Sequence, residues 1–517
     1  MSKKYKMNWL WIIFFFLTSF AYVTCFWSFV NPLNKLSVSS DVSCFYLIGR
    51  GILNGKIPYL DYIDNKGPVT YLIYAAAARI GCFPWDVFGM GLLCVFLSLL
   101  GIYVICRRLE IRGFYWVQLL FLISYALICP EGGYTEDLAI PFCIWSFLIV
   151  ADSFKKDRQD AFVLHYGYCF AILFWLCAMT RVNNAVPIAA AAVCVGVRLF
   201  AEKKFKQFGF LVLSFLFGSI IVVTPVVLWL SKHRALKECL NQIFLNNFKY
   251  NSAANVESKR EIFFSGTFAV GFYFILAVCL ICIIFSWRTN KQNCAFLRRS
   301  ALFITVISAL SGLSFTRSFS HYLLCLLPAL TFCLFLPFAG QVKSSPHKQK
   351  WLACVIVFGL CTCGVFVFNG IGTMANGCYN AIGMASAVLH HDRIQKEEWL
   401  TDWEEFVESI PEDERDSVLG VNVNPQWFIF SGLEPCKRMF ICPNLFTSLS
   451  PEYAKEYEGY FQTDPPKWLI TTQITGYYYV PGLSEVLSEK YQLIEPIGHS
   501  DLFNLLHIYH LKESECE

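Results

Sequence analysis

Six ionisable residues lie close together near the N-terminus, between two apolar parts of the chain. They fall in the stretch 41–68, DVSCFYLIGRGILNGKIPYLDYIDNKGP. Ionisable side chains at a membrane boundary are costly, so they indicate a functional site unless another role explains them. Carboxylates and a lysine beside a lipid surface suit chemistry on a substrate that is part lipid and part polar. The six residues are Asp41, Arg50, Lys56, Asp61, Asp64 and Lys66.

The first half of this stretch carries apolar residues at roughly helical spacing. The pattern covers 41–54 and ends at Asn54-Gly55, which is a typical helix stop. A short amphipathic helix beside a membrane span favours a position in the interface over a position across the bilayer. The pattern therefore predicts an interfacial helix with Asp41 at its beginning.

Membrane spans must position these residues. The chain has 517 residues, of which 56% are hydrophobic and 15% are charged, whereas a soluble protein carries about 25% charged residues. The net charge of +4 is small and does not indicate nucleic-acid binding. The sequence predicts an all-α polytopic membrane protein with about eleven transmembrane helices. Their predicted ranges are 8–30, 86–106, 114–130, 138–152, 161–180, 185–200, 208–231, 263–286, 300–316, 321–339 and 351–370.

The distribution of lysine and arginine orients these spans. Three lysines precede the first span, which places the N-terminus in the cytoplasm. The apolar run 69–81 has about 13 residues and is short for a span. If it lies on the outer surface, every later Lys/Arg-rich short loop faces the cytoplasm. We therefore predict a second interfacial helix at 69–81 and an extracytoplasmic position for Asp41.

The composition changes after residue 372. The stretch from about 390 to 517 is rich in Glu, Asp, Tyr and Pro and has no apolar run long enough to cross a membrane. Its patterns predict a helix at 399–410 and strands at 417–423, 468–472 and 505–511. We predict two domains, a transmembrane catalytic domain over 1–372 and a small extracytoplasmic α/β domain over 373–517 that provides support or binds an acceptor.

More polar residues collect on the predicted outer side from distant parts of the chain. Each has a structural interpretation beside a functional one: Asp41 could cap its helix, and Lys66 could extend to lipid headgroups. The outer loop 231–261 could cover a site or simply connect two spans. Convergence on the side that holds Asp41 favours function. The further residues are Tyr59, Asp61, Asp64, Glu136, Asp137, Arg181, Arg317, His321 and Tyr322.

Four features in this order resemble the GT-C integral-membrane glycosyltransferases. The resemblance is to bacterial relatives of the dolichyl-phosphate-mannose protein mannosyltransferases and of lipid A aminoarabinose transferase. The features are an acid after the first span (Asp41), then GKIPYLDYIDNKGP, then GGYTEDLAIPF before the fourth span, then RSFSHYLLCLLP. Together they extend over most of the first 340 residues, and the first block is the most specific.

The resemblance implies transfer of a sugar from a polyprenyl-phosphate donor to a lipid, glycan or protein acceptor. The reaction would occur on the outer face of a bacterial cell membrane. The family's catalytic acid maps onto Asp41, its second acid onto Glu136 or the adjacent Asp137, and its basic residue before the proline turn onto Lys66. The family usually has Lys-Pro-Pro or His-Lys-Gly-Pro where this chain has Asn-Lys-Gly-Pro. Some members use a divalent metal and others do not, and the sequence implies no other cofactor.

The chemistry is consistent with these residue types. A hydroxyl acceptor must lose a proton as it attacks the anomeric carbon, so one carboxylate acts as general base. The lipid phosphate leaves with added negative charge, which cations stabilise. Single displacement inverts the anomeric centre. The residues assigned to the donor phosphate are Lys66, Arg181, Arg317 and His321, and those assigned to substrate binding are Tyr59, Asp61, Asp64 and Tyr322.

Two other functions share the membrane setting. A flippase or transporter of lipid-linked sugars needs polar groups through the membrane depth, whereas the polar groups here lie on one side. The sequence also shows no internal repeat of the kind that builds many transporters. A polysaccharide polymerase or ligase would carry basic residues in a large late outer loop, for which 231–261 is modest.

The predicted topology has a direct test. Single cysteines at Arg107 and at Lys155, on a cysteine-free background, should resist a membrane-impermeant thiol reagent in intact cells, because both loops are predicted to be cytoplasmic. A cysteine in the C-terminal stretch should react. Labelling at Arg107 or Lys155 from outside would contradict the eleven-span arrangement.

Overall fold

The computed structural model describes most of the chain. The described residues are 9–28, 31–32, 40–129, 131–154, 159–249, 261–264, 266–289, 294–313, 319–339, 359, 370–389, 398–472, 480, 482–494, 498, 500–501 and 503–512. They separate into two compact units. We call 1–34, 87–229 and 254–385 the helical unit, and 35–86, 230–253 and 386–517 the mixed unit.

Helices dominate the described chain. In order they are α1 (Trp9–Phe26), α2 (Ser40–Leu53), α3 (Pro68–Ile80), α4 (Trp85–Arg108), α5 (Phe114–Ile128), α6 (Thr135–Phe154), α7 (Gln159–Ala178), α8 (Val186–Ala201), α9 (Phe205–Lys232), α10 (Leu236–Leu240), α11 (Gly266–Thr289), α12 (Ala295–Gly312), α13 (Leu327–Phe335), α14 (Gly370–Leu389), α15 (Glu398–Ser409), α16 (Gln426–Ser431), α17 (Pro443–Leu449), α18 (Pro451–Gln462) and α19 (Leu483–Lys490). A π-helix, Asn241–Asn246, continues α10.

Seven of the described helices are long and apolar enough to cross a membrane. They are Trp9–Phe26, Trp85–Arg108, Thr135–Phe154, Val182–Ala201, Phe205–Lys232, Phe268–Trp287 and Ala295–Gly312. Three shorter apolar helices, Phe114–Ile128, Val163–Ala178 and Ser320–Phe335, fall where the sequence predicts further spans. The predicted span 351–370 lies almost entirely outside the described residues. The predicted fold class, an all-α polytopic protein with a small C-terminal α/β part, is confirmed.

In the helical unit, a glycine pair shapes the chain just before α6. Gly132 and Gly133 have φ of +71° and +88°, a region that residues with a Cβ rarely adopt. A Cβ at Gly132 would also meet the ring of Trp27, which is fully buried. Both the positive φ and the close approach of Trp27 require glycine at position 132. The turn that this glycine allows leads directly into the acidic first turn of α6.

In the mixed unit, α2 and α3 form a closely packed pair. A Cβ at Gly49 would lie 2.7 Å from the backbone nitrogen of Ala75, so the two helix backbones approach closely there. Residues 54–67 join the two helices without forming a helix or a strand of their own. Both predicted interfacial helices therefore form, and their placement in the membrane interface stays a prediction.

The C-terminal residues of the mixed unit form a four-stranded sheet with helices. The strands are β1 (Val418–Val421), β2 (Trp468–Thr471), β3 (Tyr491–Ile494) and β4 (His507–Leu511), in the order β1-β2-β4-β3. β1 and β2 are parallel, and β4 is antiparallel to both of its neighbours. The predicted helix and three predicted strands are confirmed. β3 is not among the predicted strands; its two middle residues are exposed, whereas β1 and β2, of the same length, are almost wholly buried.

The two units do not follow the linear division at residue 372 that composition predicts. Residues 35–86 and 230–253 group with the C-terminal residues in one compact unit. The reason is physical: the irregular stretch 54–67 leaves backbone groups without partners in a helix or strand, and these groups bond to side chains from the other two segments.

Candidate functional site

Asp41 lies in the first turn of α2 and is partly buried. The amino end of a helix carries a partial positive charge, which attracts negatively charged side chains. Asp41 also acts on a second carboxylate: burial is the main cause that raises the pKa of Asp64, and the charge of Asp41 adds to that rise. The two acids, which are 23 positions apart in the sequence, therefore belong to one electrostatic group.

Asp64 accepts two hydrogen bonds inside the irregular stretch. The Tyr71 hydroxyl donates to Oδ2 at 2.7 Å, and the backbone N–H of Asn65 donates to Oδ1 at 2.7 Å. Burial raises the pKa of Asp64, whereas the Lys66 ammonium and these two donors oppose the rise. The carboxyl is therefore held by local donors, and its ionisation depends on Lys66.

Lys66 is partly buried beside an aromatic ring. Its Nζ lies 5.5 Å from the centroid of Phe45 and donates to Asn65 Oδ1 at 3.0 Å. The Tyr59 hydroxyl donates to the Lys66 carbonyl at 2.8 Å and thereby fixes the backbone. We call Asp41, Asp64 and Lys66 the loop cluster. It combines two acids and one cation, as the sequence predicts.

Asp61 and Tyr59 have structural contacts in the same stretch. Asp61 Oδ2 accepts from the Ile57 backbone N–H at 2.5 Å, which closes a turn. Tyr59 is 1% exposed and adopts φ of +73°. Its carbonyl accepts from Gln242 Nε2 at 2.9 Å and from Arg438 Nη1 at 3.2 Å. These contacts favour a supporting role for both residues over the predicted contact with substrate.

In the helical unit, Glu136 and Arg181 form an ion pair in which the acid is buried and the Arg181 side chain is 23% exposed. The Glu136 side chain is 2% exposed and also accepts from Thr135 Oγ1 at 2.9 Å. The Arg181 guanidinium lies 4.5 Å from the centroid of the Tyr322 ring. The second predicted acid and one predicted phosphate ligand are thus paired with each other.

Asp137 faces different partners from Glu136. It accepts from the Tyr134 backbone N–H at 2.8 Å and from the Tyr125 hydroxyl. His321 stacks on the Tyr134 ring at 4.2 Å with an interplanar angle of 15°. We call Glu136, Arg181, His321 and Tyr322 the helix-end cluster. Arg317, the remaining predicted phosphate ligand, lies outside the described residues.

Sequence reasoning missed the side chains that support the loop cluster from 230–253. The Asp64 backbone N–H donates to Gln242 Oε1 at 3.2 Å, and Asn65 Nδ2 donates to Asn247 Oδ1 at 3.2 Å. The run of Asn and Gln at 241–247 was a usable signal, because polar amides repeat there among Ile, Phe and Leu. Tyr71 carried no signal, since an aromatic residue in an apolar helix is usually a packing residue.

The described residues contain no group of three or more His, Cys, Asp or Glu that could hold a metal ion. Among the described residues, Lys66 of the loop cluster and Arg181 of the helix-end cluster each supply a cationic side chain.

Comparison of the sequence with family models identifies its family. The model described as "Putative competence-induced protein Ccs4 N-terminal domain" matches residues 2–351. The chain belongs to this family. A search of curated proteins found no match.

Two solved structures of one protein, ArnT, show the same fold. ArnT from Cupriavidus metallidurans bound to undecaprenyl phosphate has a TM-score of 0.59 at 11% identity, covering 97% of this chain and 98% of ArnT. The apo state of the same ArnT has a TM-score of 0.58 at 11% identity, covering 96% and 97%. The archaeal oligosaccharyltransferase AglB from Archaeoglobus fulgidus has a TM-score of 0.47 at 11% identity, covering 98% and 74%. The predicted relationship in fold to the GT-C class and to lipid A aminoarabinose transferase is confirmed.

The ion pair in the helix-end cluster yields a stability prediction. Replacing Arg181 with Met leaves the Glu136 carboxylate buried without its partner, which should cost about 3 kcal/mol or more. The double variant Glu136→Gln/Arg181→Met removes both charges and should be more stable than Arg181→Met alone. Thermal unfolding of detergent-purified variants measures this difference.

A pair with a more accessible acid provides the control. Arg198 and Glu202 lie 2.8 Å apart at the end of α8, and the Glu202 side chain is 31% exposed, against 2% for Glu136. Glu202→Gln should change stability by about 1 kcal/mol or less. If the stability losses of the single variants Glu136→Gln and Arg181→Met add up to the loss in the double variant, Glu136 and Arg181 are not energetically coupled.

Proposed function

We propose that this chain transfers a sugar from a polyprenyl-phosphate donor to a hydroxyl acceptor on the outer face of the cell membrane. The observation that carries the proposal is the likeness of nearly the whole chain to ArnT, which was solved with undecaprenyl phosphate. The residue types in the loop cluster also support the proposal. It offers carboxylates for proton transfer and a cation for a phosphate within one short stretch of chain.

Asp41 acts as the general base in this proposal. It takes the proton of the acceptor hydroxyl as the acceptor oxygen forms a bond to the anomeric carbon. It lies in the first turn of α2 and is partly buried. Both oxygens of Asp64 accept hydrogen bonds from within the mixed unit, which suits a role in holding the irregular stretch. Glu136 is paired with Arg181 and suits charge balance or acceptor orientation.

Lys66 stabilises the leaving group. As the bond between the anomeric carbon and the phosphate oxygen breaks, the electron pair stays on the phosphate and adds a negative charge to it. An ammonium in a partly buried position is poorly screened and stabilises that charge more than it would in water. Attack and departure occur on opposite faces of the sugar, so the anomeric configuration inverts.

A deletion strain tests the proposal and identifies the donor. Mass spectrometry of its lipids should reveal accumulation of one polyprenyl-phosphate sugar, together with loss of that sugar from an envelope glycan, lipid or protein. Loss of a lipid-linked oligosaccharide polymer instead would favour a polymerase or ligase. Unchanged lipid-linked sugars and envelope glycans would contradict the proposal.

The role of Asp41 can be separated from helix capping. Asn caps a helix about as well as Asp but cannot accept the proton. Asp41→Asn should therefore preserve folding and donor binding while turnover falls by roughly 10²–10⁴-fold. The measurement is sugar transfer from the purified donor, with thermal stability recorded in parallel. Full activity in Asp41→Asn, with activity lost in Glu136→Gln or Asp137→Asn, would place the base on α6.

The sugar-transfer activity should depend on the charge of Lys66 more than on the packing of its side chain. Lys66→Ala should raise the donor KM or lower turnover strongly. Its smaller effect on thermal stability should come from the lost charge beside Asp64 and not from lost packing. Lys66→Arg should recover part of the activity, since it keeps the charge but changes its geometry. The matched control is Lys56→Ala, which removes an exposed lysine from the same stretch. Wild-type turnover by Lys66→Ala would show that the charge is not used.

A further inference from the structure

We propose that Arg50 is a positioning residue through which the C-terminal α/β residues hold the loop cluster in its catalytic geometry. The inference rests on the proposed function, and it gives the C-terminal part of the chain a defined task. All of the contacts that carry it lie within the mixed unit. They connect α2 and the irregular stretch 54–67 with residues 428–440.

Arg50 lies in the last turn of α2 and binds the end of another helix. Its Nη1 donates to the Ile429 carbonyl at 3.0 Å, and its Nη2 donates to the carbonyls of Phe428 at 3.1 Å and Leu433 at 2.8 Å. Two of these carbonyls belong to α16, which ends at Gly432 with φ of +74°. Carbonyls near a helix C-terminus lack partners within the helix and carry partial negative charge, so a guanidinium satisfies both needs.

A second row of contacts continues along the stretch that leads to Asp64. Glu434 accepts from Asn54 Nδ2 at 2.7 Å and from the Tyr62 hydroxyl. The Ile63 backbone N–H donates to the Arg438 carbonyl at 3.1 Å. Segment 428–440 therefore contacts the stretch 54–67 at its first residue, Asn54, and again at Ile63, the residue before Asp64.

The same segment is anchored inside the α/β part. Arg438 Nε donates to Glu456 Oε1 at 2.6 Å, and the Arg438 guanidinium lies 5.6 Å from the Tyr453 ring centroid. Burial opposes ionisation of Glu456, but its hydrogen bond with Arg438 lowers the pKa of Glu456 below its usual value. The segment that holds the stretch 54–67 is thus fixed to α18.

Helix geometry explains how Arg50 acts on Asp41. The two residues are nine positions apart on α2, which is about 13 Å along a helix. A tilt of about 4° at one end displaces the other by about 1 Å. A displacement of about 1 Å in an active site can reduce the rate by about 10²-fold. Loss of the Arg50 contacts should therefore affect the chemical step without removing any group that touches the substrate.

The test compares Arg50→Met and Arg50→Lys with Lys56→Ala in the full-length protein. Arg50→Met should lower kcat by about 10–100-fold, with the donor KM within about twofold of wild type. Arg50→Lys should recover part of kcat, because an ammonium can serve some of the three carbonyls but lacks the fork geometry. Lys56→Ala should behave as wild type. Hydrogen exchange of peptides from 54–66 should be faster in Arg50→Met alone.

A milder variant keeps the test valid if Arg50→Met does not fold. Tyr62→Phe removes one hydroxyl that binds Glu434 and should lower kcat with unchanged donor KM. Unchanged kcat in Arg50→Met or in Tyr62→Phe would overturn the inference, as would a KM effect with constant kcat. No sugar transfer by the wild-type protein would instead overturn the proposed function, and the inference with it.

Discussion

The structure depends on satisfying the backbone of one irregular stretch, residues 54–67. Buried backbone N–H and C=O groups without partners are costly, and this stretch has no helix or strand to supply them. Partners come instead from Asp61 within the stretch, from Gln242 after α9 and from Arg438 in the α/β part. Because two of these three partners come from distant segments of the chain, the geometry of the stretch depends on tertiary contacts.

Charge pairing is the second organising feature. Each unit holds a buried acid together with a cation from the same unit. In the mixed unit, Lys66 lowers the cost of ionising Asp64, while Tyr71 and the Asn65 N–H complete the carboxylate's partners. In the helical unit, Arg181 neutralises Glu136, which is almost inaccessible to solvent. Both acids are therefore held by partners within their own unit. In the proposed mechanism Asp41, in the first turn of α2, is the general base.

Periodicity and charge were enough to predict much of the fold. Two short amphipathic helices, most of the spans and three of four strands were predictable, because each depends on local pattern. The grouping of 35–86 with the C-terminal residues was not, since it depends on hydrogen bonds such as that of Asn54 with Glu434, 380 positions apart. By contrast, Asp41, Asp64 and Lys66 lie in one short stretch, so residue type and spacing were enough to propose them as site residues. The contacts of Arg50 and Tyr71 follow from tertiary structure alone, whereas the repeated amides around Gln242 were a usable signal in the sequence.

An isotope experiment tests the central claim, that an acceptor displaces polyprenyl phosphate at the anomeric carbon. The donor would carry ¹⁸O in the oxygen that joins the sugar to phosphorus, and the purified full-length protein would transfer the sugar. The account predicts that all of the ¹⁸O stays in the released polyprenyl phosphate, and that NMR of the product shows the inverted anomeric configuration. Recovery of the label in the transferred product, or retention of configuration, would contradict it.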